Sequence, residues 1–286
     1  MSIKSPVMRY HGGKFRLAPW VMQFFPAHTT YVEPFGGAAG VLLQKPPSTS
    51  EVYNDLDSEI YNVFKVLQDP EASEILKKVC MVTPYARREF ELAYQESKEP
   101  IEQARRTLVR AFMGFGSAGA TKGTTGFRID SARKYGTSAD LWDEYPPMIA
   151  DFCRRLKRVI LENKPAIEVI ENHDRADTLF FVDPPYAWGT RELRRRAYRH
   201  EMSDEQHLEL LEKLKVVSGM VVLTAYENNL YSEQLSGWTK HNTSARISAG
   251  SGTGTRTECA WLNPACAFAC SVRGLFDNEH TNNAVR

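Results

Sequence analysis

The feature that most restricts this chain is an unbroken apolar run, Thr178-Leu179-Phe180-Phe181-Val182, that ends abruptly in Asp183-Pro184-Pro185-Tyr186. A short continuous run of this kind predicts a strand buried on both faces, as in a parallel sheet covered by helices. Open α/β sheets bind ligands beyond the carboxyl ends of their strands, so chemistry is expected at Asp183. Proline has no N–H, and the segment therefore presents a carboxylate and carbonyls with few donors competing for them. Tyr186 adds a flat amphipathic ring. An acceptor edge beside a stacking face suits an aromatic amine such as that of adenine. A strand entering a Pro-Pro turn behind an Asp cap would read the same way, so the tetrapeptide decides nothing alone.

Upstream, Tyr10-His11-Gly12-Gly13-Lys14 precedes a helical pattern through Leu17, Trp20, Val21 and Phe24. Paired glycines let backbone approach a ligand closely, although a flexible turn has the same composition. Thr30-Tyr31-Val32-Glu33 then reads as a strand, Pro34-Phe35-Gly36-Gly37 as a glycine bend, and Ala38 to Leu43 as the start of an apolar helix. This is the opening of a nucleotide-type sheet, with the helix N-terminus favouring negative charge, such as the carboxylate of a bound amino-acid moiety. Gly36, Gly37 and Gly40 do not fit G-x-G-x-x-G, which counts against a nicotinamide cofactor. A second strand, Glu51 to Asn54, delivers Asp55 where a carboxylate could accept from ribose hydroxyls, while Asp57 or Ser58 caps the next helix.

From Asp69 to about Leu156 the pattern turns to charged helices, marked by Leu76 and Val79, by Phe90 and Ala93, and by Ala104, Leu108 and Phe112. A loop rich in Gly, Ser and Thr interrupts them and carries Lys122, Arg128, Arg133 and Lys134 beside aromatic residues, a composition suited to phosphate and base contacts or to a solvated loop. Strand patterns resume at Val159, and the basic run containing Arg191, Arg194 and Arg195 follows Tyr186 closely enough to hold a polyanion near it. Ser203 with Gln206 forms a capping-box pattern before a helix bearing Leu208, Leu211 and Leu214. Met220 to Leu223 and Cys259 to Leu262 read as further strands. The expected organisation is a sheet domain in two parts, 1–68 and 158–276, a helical insertion at 69–157, and a polar, disordered tail at 277–286. No internal repeat is visible.

With 286 residues and 25% charged, the chain is large enough for an α/β core with an insertion, and a net charge of +1 gives no global attraction to a polyanion. Any nucleic-acid surface must come from local clustering of basic residues. The five cysteines are odd in number and no signal peptide or long apolar span is seen, so a reducing cytoplasm is expected, with no membrane association. Cys266 and Cys270 lack further ligands at metal-binding spacing, and free thiols are expected there.

Taken together and in this order, Tyr10-His11-Gly12-Gly13-Lys14, Glu33-Pro34-Phe35-Gly36-Gly37-Ala38, Asp55 and Asp183-Pro184-Pro185-Tyr186 resemble the Dam-type DNA adenine N6-methyltransferases. Tyr198-Arg199-His200-Glu201-Met202 and Arg256-Thr257-Glu258 support the match. The resemblance implies an α/β fold, a Rossmann-like S-adenosylmethionine-dependent methyltransferase sheet with an inserted, mainly helical target-recognition subdomain. By the same resemblance, Tyr10, Lys14, Glu33, Pro34, Phe35, Gly36, Gly37, Asp55 and Asp183 bind S-adenosylmethionine. Asp183, Pro184 and Tyr186 act on a flipped adenine of double-stranded DNA, Arg9 lies near DNA, and no metal is required.

One departure is in the segment matching Glu162-Asn163-Lys164, where Pro165 stands in the place at which relatives often carry an aspartate, so that a carboxylate contact to the cofactor adenine is either missing or supplied by another residue. Methylation of RNA or of a protein amide is a competing reading, although those relatives usually present Asn where Asp183 stands. A DNA-binding relative without turnover is another. The recognition sequence, the oligomeric state, a restriction-nuclease partner, and a role in phage self-protection, host defence or regulation are not legible in the sequence.

Overall fold

The computed structural model describes residues 3–121, 124–129, 136–186, 198–249 and 252–272. A seven-stranded sheet has the order β3-β2-β1-β4-β5-β7-β6. It is built from β1 (Thr30–Glu33), β2 (Ser50–Asn54), β3 (Val159–Glu162), β4 (Thr178–Val182), β5 (Met220–Tyr226), β6 (Thr239–Ala249) and β7 (Gly252–Leu262). The first five run parallel, with Val32 opposite both Val52 and Phe180 and with Phe181 opposite Val222. β7 pairs antiparallel with β5, placing Glu258 opposite Tyr226, and β6 closes the edge.

The pleat sorts the apolar residues into separate cores. Tyr31, Tyr53, Leu179, Phe181 and Val222 face α2 (Ser58–Gln68), α3 (Pro70–Met81), α5 (Pro100–Met113) and α7 (Ile149–Leu156). Val32, Val52, Phe180, Val182 and Leu223 face α8 (Ala166–His173), α9 (Asp204–Val216) and α10 (Asn229–Gln234). Every residue of β4 is buried, as its continuous apolar run requires. The helices between Pro70 and Leu156, which include α4 (Arg87–Leu92) and α6 (Ser138–Glu144), join α2 in one apolar cluster. An isolated bridge between Gly114 and Phe127 closes the described part of their loop.

Several local readings hold in detail. Asp57 caps α2, accepting the Glu59 N–H at 3.0 Å. Ser203 and Gln206 form both bonds of a capping box ahead of α9, whose buried face is His207, Leu210, Leu211 and Leu214, with Leu208 half-buried.

The expected helix after the glycine bend does not form. Residues 37–44 make turns, with Ala39 at a φ of 53°. Tertiary contacts override the helical preference there, because the Glu33 carboxylate takes the Leu42 N–H at 2.7 Å and Arg155 donates to the Leu42 carbonyl at 2.7 Å. Pro46 and Pro47 then prevent continuation. The helical pattern after Lys14 likewise yields only α1 (Ala18–Val21) and a 3-10 turn, Met22–Phe24, which stop before Pro26. β6 has no counterpart among the strands expected from sequence, since its polar composition reflects an edge position with little apolar burial. Among the described residues no helix is long and apolar enough to cross a membrane.

Candidate active site

The strand order reverses between β1 and β4, and a cleft opens beyond the carboxyl ends of these strands and β2. β1 delivers Glu33, Pro34, Phe35, Gly36 and Gly37 to its wall, β2 delivers Asp55, and β4 delivers Asp183. The N-terminal loop adds Tyr10 and Lys14, and residues 198–202 close the remaining side. All nine residues expected to bind the cofactor therefore line one cleft.

At the end of the cleft beside β4 lies a compact charged cluster. Lys14 Nζ is 2.8 Å from Asp183 Oδ1 and 3.0 Å from Oδ2, 3.5 Å from Glu258 Oε1, and donates to the Tyr186 hydroxyl and to the Gly12 carbonyl. Thr224 Oγ1 donates to Asp183 Oδ1 at 2.9 Å, and the Tyr186 hydroxyl donates to Glu258 at 2.8 Å. Burial raises the Asp183 carboxyl to about 6 against the pull of Lys14, leaving it ionised at neutral pH, and its side chain keeps 16% exposure. Burial also acts to lower the Lys14 pKa, but Asp183 and Glu258 outweigh it and hold the ammonium above its ordinary value.

The placement of Tyr186 differs from a free stacking platform. It is 6% exposed, its ring lies 4.2 Å from that of Tyr226 between centroids, and the Lys14 ammonium sits 4.7 Å from its centre. Pro184 is buried, while Pro185 reaches the cleft wall.

At the other end, Asp55 accepts the Gly37 N–H at 2.9 Å on one oxygen and the Asp57 N–H at 2.8 Å on the other. Each oxygen retains a further lone pair. The glycines serve the protein's own packing, since a Cβ on Gly36 would lie 2.1 Å from the Tyr53 ring, and one on Gly37, whose φ is +50°, 2.8 Å from the Tyr10 ring. Burial, then the charge of Asp57, raises Asp55 to about 7, and burial raises Glu33 to about 7 although Tyr31 and the Leu42 N–H bond to it. Glu33, Asp55, Asp57, Asp183 and Glu201 face Lys14 and Arg199 in the lining. This acidic excess fits a cationic ligand carrying hydroxyl donors.

Tyr198 and Arg199 tie residues 198–202 across the cleft. The Tyr198 hydroxyl donates to the His11 carbonyl at 3.1 Å, and Arg199 bonds to Asp57 and, at 3.2 Å, to Glu59. Thr224, Glu258 and Arg199 were not identified as site residues from sequence. Arg199 and Glu258 lay within supporting motifs, whereas a lone Thr within a strand carries no signal. Of the expected DNA contacts, Arg9 is half-buried and outside the cleft lining, and Arg128 is half-buried with Nη1 3.3 Å from the Ser138 hydroxyl. Lys122, Arg133, Lys134, Arg191, Arg194 and Arg195 lie outside the described residues. Cys266 and Cys270 are free thiols, and among the described residues no group of His, Cys, Asp or Glu could hold a metal ion.

A parallel sheet extended by an antiparallel pair, with a glycine bend after β1 and acids after β2 and β4 around one cleft, is the Rossmann-like architecture of S-adenosylmethionine-dependent methyltransferases. Residues 10–246 match the D12 class N6 adenine-specific DNA methyltransferases, and the chain belongs to that family. Over 189 residues it is 24% identical to the modification methylase LlaI of Lactococcus lactis subsp. lactis, an alignment covering 64% of this chain and 30% of that protein. The chain thus spans under a third of the length of the curated relative it matches. The family match ends before Glu258, which reaches the site through β7.

Proposed function

We propose that this protein transfers a methyl group from S-adenosylmethionine to the N6 amine of an adenine flipped out of double-stranded DNA. The observation that carries the reading is the position of Asp183, an ionised carboxylate whose oxygens already hold the nitrogen donor of Lys14, in the cleft that contains the glycine bend and Asp55. The donor set fits the cofactor. Asp55 would hold the ribose hydroxyls, Glu33 and the 35–37 backbone the methionine end, and Tyr10 would pack beside them. When bound, S-adenosylmethionine supplies an electrophilic methyl on a positively charged sulfur.

The amine of adenine is a poor nucleophile because its lone pair is delocalised into the ring. Asp183 accepts a hydrogen bond from it in place of Lys14, favours a pyramidal nitrogen, and stabilises the positive charge that develops on it. The surplus proton leaves the nitrogen for the Asp183 carboxylate or for water. Lys14, displaced from Asp183, retains Glu258 and Tyr186 as partners, so no buried charge is stranded. Flipping costs a few kcal/mol. Stacking on Tyr186 would require its Tyr226 or Lys14 face to open.

In this reading the segment 69–157 reads the target, and Arg9, Arg128 and the basic residues around 122–134 and 191–195 contact DNA. The name of the Lactococcus relative, a modification methylase, supports a role beside a restriction nuclease. The test is mass spectrometry of nucleosides from a methylation-deficient host expressing the chain or its D183A variant. N6-methyladenine in DNA only with the wild type is expected. Its absence with a folded, cofactor-binding protein would overturn the reading and direct the search to RNA and protein.

A further inference from the structure

Arg199 occupies an unusual place. It follows the catalytic strand in sequence, lines the cleft, and ends on the first turn of α2 on the opposite wall. One guanidinium nitrogen bonds to Asp57, the N-cap of α2, and the other lies 3.2 Å from Glu59 Oε2. The same Glu59 oxygen accepts from Arg110, and Thr107 is 3.5 Å away, both on α5 of the helical segment. Beside Arg199, Tyr198 reaches the His11 carbonyl and fills the space a Cβ on Gly12 would need, at 2.5 Å.

We infer that Arg199 is a positioning residue for the cofactor, clamping Asp57 and Glu59 so that Asp55 keeps its place and its charge. The inference rests on the methyltransferase reading above. Three acids, Asp55, Asp57 and Glu59, crowd the end of β2 and the start of α2. Asp57 N–H holds one Asp55 oxygen at 2.8 Å, so the cap residue sets the direction of the carboxylate behind it. Arg199 is the cation bonded to this group from the cleft side, and Arg110 neutralises it from α5. Tyr10, Tyr53, Asp57 and Arg199 are the titratable and charged groups facing Asp55 from the elements packed on it. Of their side chains only that of Arg199 favours the ionised form, beside the Asp57 and Gly37 N–H groups that bond to it, and an ionised carboxylate binds hydroxyl donors and a cationic ligand more strongly.

Removing the guanidinium should leave Asp55 protonated at higher pH, so cofactor affinity would be lost from the acidic side sooner. Equilibrium dialysis of labelled S-adenosylmethionine against the full chain, from about pH 6 to about 8.5, tests this on wild type, R199K, R199Q and D55N. R199Q should bind about tenfold more weakly at neutral pH, with the midpoint of the acidic loss about one unit higher, one unit being tenfold. R199K keeps the charge and should restore the midpoint, and introducing R199Q into D55N should shift nothing further. Wild-type affinity and midpoint in R199Q would overturn the clamp, as would R199K sharing the R199Q midpoint, a comparison that stands even if R199Q is poorly folded. No binding by the wild type would overturn the methyltransferase reading, and the clamp with it.

Discussion

Asp183 is useful because its surroundings disagree about its charge. Burial favours the neutral acid, Lys14 and Thr224 favour the carboxylate, and the balance at about 6 leaves a group that can accept a proton yet is ionised at neutral pH. Asp183→Ala should lower turnover by at least about a hundredfold, the loss seen when one preorganised partner of developing charge is removed. Single-turnover kinetics with cofactor affinity measured separately would check it, and near-normal turnover would refute the role. Asp55 makes a prediction of opposite kind. Its pKa is raised by burial to about 7, so the folded state binds its proton more tightly than the unfolded chain, and stability is lost as pH rises from the unfolded carboxylate value of about 4 through about 7. Relative to wild type, Asp55→Asn should therefore gain stability between about pH 4 and about 7 without cofactor, with little further change above about 8, measured by urea unfolding. At this scale Asp183, Asp55 and Lys14 were legible because each follows a readable pattern of strand end or glycine bend. The buried setting of Tyr186 was not, since the ring that covers it, Tyr226, comes from another strand.

The elements show where local pattern stops being sufficient. The strands carried clear apolar runs, and β1, β2, β4 and β5 lie where those runs predict. The Ala- and Leu-rich stretch after Gly37 has good helix propensity, yet Glu33 and Arg155 take the backbone groups of Leu42 and fold it into turns. Gly36 belongs to the same bend and leaves no room for a side chain beside Tyr53. Gly36→Ala should destabilise the protein by about 1–3 kcal/mol, the usual range for overpacking a fitted site, and weaken cofactor binding with it. Chemical denaturation and dialysis on the same variant would show both, and an unchanged denaturation midpoint would mean that the Tyr53 ring yields freely. β6 pairs with the strand that follows it, from Ala249 opposite Gly252 to Thr239 opposite Leu262, and its polar composition hid it, whereas the register of β7 on β5 is a long-range pairing with no local sign in a single sequence.

The whole molecule carries a net charge of only +1, so the DNA affinity that the proposed function requires must come from where the cations are rather than how many there are. Every side chain withdrawn from a phosphate should reduce the slope of log affinity against log salt by about 0.9. Replacing Arg194 and Arg195 by alanine should flatten that slope by up to about 2 and weaken binding to any duplex alike, as filter binding across salt concentrations would reveal. A slope equal to that of wild type would remove this run from the interface.

Lys14 sits near the start of the chain, Asp183 and Tyr186 well along it, and Glu258 on β7, and they meet in one hydrogen-bonded group. During translation the early parts of the cleft emerge long before the strand that carries Glu258. A ribosome-bound chain would hold the glycine bend, Asp55 and Asp183 while the Glu258 side of its active centre was still unsynthesised. Only when β7 has been made and pairs with β5 does the cluster close, so this group of side chains is completed after the rest of the cleft.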